Sequence, residues 1–363
     1  MKRAAKYIIG VMSGTSLDGI DIAYVKFNQT AANDFQILNA ITIPYGKEWK
    51  SALKEGFHLS GEKLVKLDAD YGIYLGKTIL KFIKENNIEK VDLIASHGHT
   101  IFHNPTENYT FQIGNGPQIT AITNIKTICN FRVQDVALGG QGAPLVPVGD
   151  ELLFSEYDYC LNLGGFSNIS FKENNQRIAF DICPVNIVLN HYVAALNLEY
   201  DNKGAMASEG NIEINLLNKL NSLSFYDEAK PKSLGYEFVS ETIFPIIDKF
   251  NLSINDILRT FVEHIALQIS KKIESNSEKT MLVTGGGAFN TFLMERLQSH
   301  TKTPLIIPDE NIINFKEALV FALLGFLKDE GKINCLKSVT GASKDHSSGV
   351  VYEVESSKFP FSR

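Results

Sequence analysis

Two consecutive α/β halves are the fold this sequence predicts, and three observations predict it. Strand-like and helix-like runs alternate along the chain, which favours covered, mixed sheets. Each half opens in the same way, with an apolar run, a glycine turn and a second apolar run. Between them, Leu138-Gly139-Gly140-Gln141-Gly142-Ala143-Pro144 is rich in chain breakers, as suits a domain crossing or a ligand loop. The 363 residues also exceed the roughly 250 to 300 at which one hydrophobic core stops growing. The expected domains are residues 1–130 and 131–363, with a C-terminal tail that can pack back on the first.

The first half begins with a β-rich run from Tyr7 to Val11, a polar turn, and a second run from Ile20 to Phe27, the pattern of a hairpin. Basic residues precede the first run as in a secretory signal, but Gly10 and the polar run after it break the apolar stretch, so it reads as a strand. Leu64, Leu67, Tyr71, Tyr74, Leu75, Ile79 and Phe82 recur at three- and four-residue steps and predict a helix. Val91 to Ser96 returns to strand and leads into a His-Gly loop. The second half opens with Tyr159 to Leu163, the turn Gly164-Gly165-Phe166-Ser167-Asn168, and Ile169 to Phe171. Helices follow from Val185 to Leu196, Ile254 to Ile273, Asn290 to Leu297 and Lys316 to Leu327, with a strand at Met281 to Val283.

Composition narrows the function classes. Hydrophobic residues make up 44% and charged residues 21%, so the chain folds rather than staying disordered. A formal charge of −6 lacks the basic surplus of a sequence-independent nucleic-acid binder. No apolar run approaches the ~20 residues that span a bilayer. Cys129, Cys160, Cys183 and Cys335 stand far apart, without the spacing of a zinc ribbon or disulfide framework. A soluble protein of the reducing cytoplasm is the expectation.

Six segments can carry chemistry. The loop Gly14-Thr15-Ser16-Leu17-Asp18-Gly19 before Ile20 and Asp21 offers backbone N–H groups to a phosphate and the Asp18 carboxylate to Mg²⁺; a polar hairpin turn is the alternative. Asn162, Gly164 and Gly165 repeat that arrangement. Gly285, Gly286 and Gly287, followed by Asn290, join a strand to a helix, where missing side chains admit a flat nucleoside or make only a tight turn. His97, His99 and His103 invite a zinc reading; a sugar-contacting loop that includes Thr100 and packed histidines are the other two. Asp181 closes a strand and is the candidate catalytic carboxylate, or else an N-cap ahead of the next helix. Arg132 and Asp135 flank the glycine crossover, where the guanidinium can grip an anionic group or form an interdomain salt bridge.

These residues together resemble a known family. Gly10-Val11-Met12-Ser13-Gly14-Thr15-Ser16-Leu17-Asp18-Gly19, Ser96-His97-Gly98, Gln112-Ile113-Gly114-Asn115, Phe131-Arg132, Gly139 to Pro147, Asn162-Leu163-Gly164-Gly165, Gly285-Gly286-Gly287-Ala288, Glu317-Ala318 and Ser338 to Ala342 are similar to the 1,6-anhydro-N-acetylmuramic acid kinases of the sugar kinase, actin and heat-shock chaperone superfamily. The resemblance implies an actin-like ATPase (ribonuclease H-like) fold: two domains, each a mixed five-stranded sheet with helices, hinged over a cleft for ATP and an amino sugar. It implies that Asp181 activates water to open the anhydro bridge while the freed oxygen takes the γ-phosphoryl group, with Mg²⁺ on the phosphates. The sugar then falls to His97, Thr100, Arg132, Gln141 and Glu317, and a homodimer is compatible. Nucleic acid and membrane are not implied partners.

The chain departs from the family's pattern at three places. Asp181-Ile182-Cys183-Pro184-Val185-Asn186 puts side chains where the family has two glycines, so loss of backbone approach to a ligand is expected there. Asn130 replaces an acid, and His99 replaces a glutamine.

Overall fold

The computed structural model describes residues 5–14, 17–28, 33–230 and 232–354. They form two compact units, one of residues up to Leu153 together with those from Phe315 on, the other Phe154–Asn314. Residue 130, where the sequence places the crossing, lies inside the first unit.

The first unit carries β1 (Lys6–Ser13), β2 (Gly19–Phe27), β3 (Phe35–Pro44), β4 (Leu93–Ser96), the small pair β5 (His99–Asn104) and β6 (Tyr109–Ile113), and β7 (Thr127–Cys129). The second carries β8 (Tyr159–Leu163), β9 (Phe166–Glu173), β10 (Gln176–Pro184), β11 (Met281–Thr284) and β12 (Leu305–Ile306), and the tail adds β13 (Val350–Tyr352) to the first. The first sheet runs β13-β7-β4-β1-β2-β3 and the second β10-β9-β8-β11-β12. In both, three antiparallel strands join two parallel ones. This is the ribonuclease H-like order of the actin-like fold, present twice. The expected five strands hold for the second sheet; the first has a sixth, because the tail pairs Val350 with Cys129 along an edge that would otherwise present unpaired backbone groups.

β1 sits mid-sheet and reads apolar on both faces, with Ile8, Ile9 and Val11 at most 1% exposed, as expected of a strand covered on both sides. The Gly61–Glu85 helix buries Leu67, Tyr71, Leu75, Ile79 and Phe82, the face its spacing predicts, against Ile9, Ile20 and Ile94. On the other face the Glu310–Asp329 helix comes so close that a Cβ on Gly10 would stand 2.0 Å from the Ala318 carbonyl oxygen. A buried pair, Lys316 Nζ to Asp150 Oδ1 at 2.7 Å, ties that helix to the Pro147–Leu153 helix. The tail is fastened by the Ser348 hydroxyl, which donates to the Phe131 carbonyl at 2.6 Å. The residue-130 region stays with the first unit for the same reason: Gln141 N–H donates to Thr340 O at 2.7 Å, and Ser343 N–H to Leu138 O at 2.9 Å. No helix among the described residues is long and apolar enough to cross a membrane.

In the second unit the Ile254–Ser270 helix supplies most of one core face and also a buried ion cluster. Glu263 accepts from Arg259 Nη1 at 2.8 Å, Arg296 Nε at 2.9 Å and His300 Nε2 at 2.6 Å. Burial pushes its carboxyl up, but the bonds from Arg296, Arg259 and His300 outweigh it and hold the group at about 2, against an ordinary 4.5. A carboxylate depressed by folding adds stability above its unfolded pKa and loses it as pH falls towards the folded one. Glu263→Gln leaves two half-buried guanidinium groups without their anion and should cost about 2 kcal/mol. Urea titration should show that loss at neutral pH, and the variant should lack the wild type's decline in stability between pH 4.5 and about 2.

Candidate active site

In the first unit the polar segments gather at the ends of β1 and β4. β1 and β2 form the hairpin the sequence predicts, with Ser13 opposite Ile20 and Met12 opposite Asp21. Gly14 and Leu17 are bridged by a 3.4 Å backbone bond, and Leu17 takes a left-handed φ of 60°. Thr15 and Ser16, both predicted to meet phosphate, lie outside the described residues. Asp18 is exposed. Gly19 packs against β3, where a Cβ would meet the Ile43 carbonyl, so its role is to let β2 lie close. Asp21 accepts from Thr42 Oγ1 at 2.5 Å, and burial, with the charge of Asp18 adding, raises its carboxyl.

Beneath the loop runs a buried hydrogen-bond chain. Ser13 Oγ is 2.6 Å from Tyr45 Oη and 3.0 Å from His99 Nδ1, and Tyr45 in turn bonds Tyr71. Burial pulls His99 down to about 4, so its ring is neutral near pH 7. The sequence shows Tyr71 as a core position and gives no sign of Tyr45.

His97 is 4% exposed. Arg132 Nε donates to its Nε2 at 2.8 Å, so the ring proton sits on Nδ1, 2.9 Å from the Gly98 carbonyl. Burial, then the Arg132 charge, holds this histidine well below its ordinary pKa. Arg132 Nη1 also donates to Gly142 O at 2.7 Å, so two of its donors serve the protein. Its expected neighbour Asp135 accepts instead from Gly142 N and Thr340 Oγ1, each at 2.7 Å. Glu317 supplies the largest charge opposing the effect of burial on Arg132. It keeps exposed surface, yet the protein packed around it raises its carboxyl, with Arg132 opposing and Asp21 adding to the rise. His97, Arg132, Glu317 and Asp21 therefore share one electrostatic neighbourhood.

The other sugar candidates lie differently. Thr100 Oγ1 accepts from Gln112 Nε2 at 3.3 Å within the β5–β6 pair, and Gln141 is exposed. The predicted His-Gly loop is a turn at His97-Gly98 and then strand β5, which carries His99 and His103. The three imidazoles do not converge as a zinc site requires: His97 is held by Arg132, His99 by Ser13, and His103 by Thr110 Oγ1 at 2.9 Å.

In the second unit one rung of the sheet carries the candidates. Thr284 pairs with Asn162, Asn162 with Asn168, and Asn168 with Asp181. Asp181 is not at a strand end as predicted. β10 continues to Pro184, and the register shifts between Asp181 and Cys183, a bulge of the kind that re-aims side chains beside sites. Asp181 Oδ2 accepts from Leu234 N–H at 2.8 Å, and its own N–H donates to Lys232 O at 3.0 Å. Burial raises its carboxyl, with the Leu234 bond opposing. Nothing in the sequence pattern marks residues 232–234 as its support.

The glycines divide by task. Gly285 has φ 80°, and a Cβ there would stand 2.6 Å from Asn162 Oδ1; one on Gly287 would stand 2.7 Å from Leu163 Cβ. These two seat the turn against β8. A Cβ on Gly286 would meet nothing closer than Asn186 Nδ2 at 3.8 Å, so this glycine faces open space, as Gly165 does. Gly164 and Gly165 lend their carbonyls to Asn186 N, and to Val185 N and Ile187 N. Asn290 Oδ1 caps the following helix, accepting from Leu293 N at 2.9 Å. The departures after Asp181 turn inward: Cys183 and Val185 are both 0% exposed, with the Cys183 backbone bonded to Ser167 Oγ. Their side chains fill the core, so the expected obstruction of the backbone by them does not arise.

A profile of the anhydro-N-acetylmuramic acid kinase family matches residues 6–354. The chain belongs to that family. It is 35% identical to the anhydro-N-acetylmuramic acid kinase of Crocosphaera subtropica, over 93% of this chain and 96% of that one. The kinase of the same name from Aliivibrio fischeri is also 35% identical, over 96% and 99%, and that from Sulfurimonas denitrificans 32%, over 96% and 100%. The family match spans both units.

Because Gly286 faces open space, Gly286→Val should fold with a Tm near that of the wild type. It should raise the KM for ATP about tenfold, roughly 1.4 kcal/mol, and leave the KM for sugar nearly unchanged. Steady-state kinetics with each substrate varied in turn reads this; an unaltered ATP KM would move the nucleotide elsewhere.

Proposed function

We propose that this protein is an ATP-dependent kinase that opens 1,6-anhydro-N-acetylmuramic acid hydrolytically and phosphorylates O6, giving N-acetylmuramic acid 6-phosphate and ADP in peptidoglycan recycling. The observation that carries the reading is Asp181, a half-buried carboxylate on a bulge beside the glycine turns of a sheet that lies within the span the family matches. Its raised pKa suits a general base, which works best when its pKa approaches the operating pH.

The roles follow from chemistry. Asp181 takes a proton from water as the water oxygen bonds to C1; the C1–O6 bond breaks, and O6 accepts the γ-phosphoryl group as ADP leaves. Phosphoryl transfer thereby takes the part of the acid that usually protonates the leaving oxygen. The open face at Gly286, with Gly164 and Gly165, suits the nucleotide. The Arg132 guanidinium suits the sugar's lactyl carboxylate, and Glu317, His97, Thr100 and Gln141 supply donors and acceptors for its hydroxyl and amide groups. Asp18, exposed and close enough to Asp21 to perturb it, offers the hard oxygen donors that Mg²⁺ prefers. When bound, Mg²⁺ would neutralise phosphate charge. A cytoplasmic setting fits ATP use and four free cysteines.

Asp181→Asn keeps the shape and the Leu234 bond but accepts no proton, so kcat should fall by ~10²- to 10⁴-fold with ATP binding retained. In the wild type kcat/KM should decline on acidification through a pKa above the ordinary aspartate range, because the protonated acid is inactive. Near-normal turnover of a folded Asp181→Asn protein would remove this role.

A further inference from the structure

Asp135, Cys335 and His346 present a carboxylate oxygen, a sulfur and an imidazole nitrogen that lie within 4.8 Å of one another, and all three residues are buried. We propose that this cluster binds a divalent cation of the zinc class through Asp135, Cys335 Sγ and His346 Nε2, separately from any Mg²⁺ that accompanies ATP.

Backbone fixes two of the donors. Cys335 and His346 form an isolated antiparallel bridge, with Cys335 N–H donating to His346 O at 3.1 Å and His346 N–H to Cys335 O at 3.2 Å. Directly opposed residues of such a pair send their side chains to the same face. The third donor arrives from the Val133–Ala137 helix. Asp135 is 0% exposed, oriented by Thr340 Oγ1 on Oδ1 and by Gly142 N–H on Oδ2.

The position of the second imidazole nitrogen suits a cation. His346 Nδ1 lies 3.1 Å from the Lys344 carbonyl, which can only accept, so Nδ1 carries the proton. Nε2 is then the ring atom left to face the carboxylate. It is buried without a hydrogen-bond partner and stands 3.6 Å from Asp135 Oδ1. A cation between them would bond both atoms, displacing any proton from Nε2. Zinc bonds of about 2.0–2.2 Å to nitrogen and oxygen place those donors about 3.3–3.5 Å apart around a tetrahedron, close to the observed 3.6 Å. A histidine whose other nitrogen donates to a carbonyl, beside a carboxylate that is itself hydrogen-bonded, is the usual outer support of a metal ligand set.

The donor types select the metal. Sulfur and imidazole favour zinc and its neighbours over Mg²⁺, which takes hard oxygen ligands. A metal bound there would replace the Cys335 thiol proton. The ion would clamp the 335–346 segment to the helix that follows Arg132 and to the glycine loop that carries Gln141.

The full-length protein, stripped with chelator under reducing conditions, should take up about one Zn²⁺ per chain in the presence of excess Mg²⁺, keep it through desalting, and gain in Tm. Cys335→Ser and His346→Asn should each weaken zinc binding at least about tenfold, and Co²⁺ should give a thiolate charge-transfer band that Cys335→Ser lacks. Should neither variant fold, peptide mapping of the alkylated wild type still decides: zinc should protect Cys335 and leave Cys129, Cys160 and Cys183 unchanged. Zinc below about 0.1 per chain, undiminished zinc in folded variants, or no selective protection of Cys335 would each overturn the proposal.

Discussion

The first unit depends on how closely one helix can lie on its sheet. A side chain at Gly10 would strike the Ala318 carbonyl, and one at Gly325 would stand 2.5 Å from Ala95 Cβ. With neither side chain present, the helix from Phe315 on rests on β1 and β4 at backbone distance. That seating fixes Glu317, one residue before Ala318, in the neighbourhood of Arg132 and Asp21. Any larger residue at position 10 would lift the helix and separate the charges, whatever the charged residues themselves were.

The second unit uses the same constraint for a different end. Gly285 and Gly287 press the turn after β11 against Leu163 at the end of β8, leaving Gly286 as the open position between them. The bulge in β10 sets Asp181 on the rung shared with Asn168, Asn162 and Thr284. The carboxylate then accepts from Leu234 N–H, while the residue's own backbone N–H donates to Lys232 O. A carboxylate positioned in this way keeps its direction without a charged partner, so burial rather than ion pairing raises its pKa.

What was legible in the sequence depended on local signals. The hairpin at Ser13 to Ile20, the face of the Gly61–Glu85 helix and the strand before Gly285 each follow from periodicity or turn chemistry within a few residues. Features made by distant residues were not legible. β13 joins β7 from some 220 positions away, Leu234 reaches Asp181 from another segment, and Tyr45 meets Ser13 across the sheet edge. The three histidines drew a zinc reading because they are close in sequence, whereas the donors that converge come from positions 135, 335 and 346. The inward turn of Cys183 and Val185 was hidden for a related reason. A side chain in place of a family glycine reads as an obstacle until the bulge shows that it points to the core.

The central claim is that one active site couples opening of the anhydro bridge to phosphoryl transfer. Mass analysis of products after incubation with Mg²⁺-ATP and either 1,6-anhydro-N-acetylmuramic acid or free N-acetylmuramic acid tests it most directly. With the anhydro sugar, equal amounts of ADP and a product heavier by one water and one phosphoryl group are expected, and little reaction with the free sugar. ADP formed only with the free sugar, or formed without a sugar phosphate, would contradict the account.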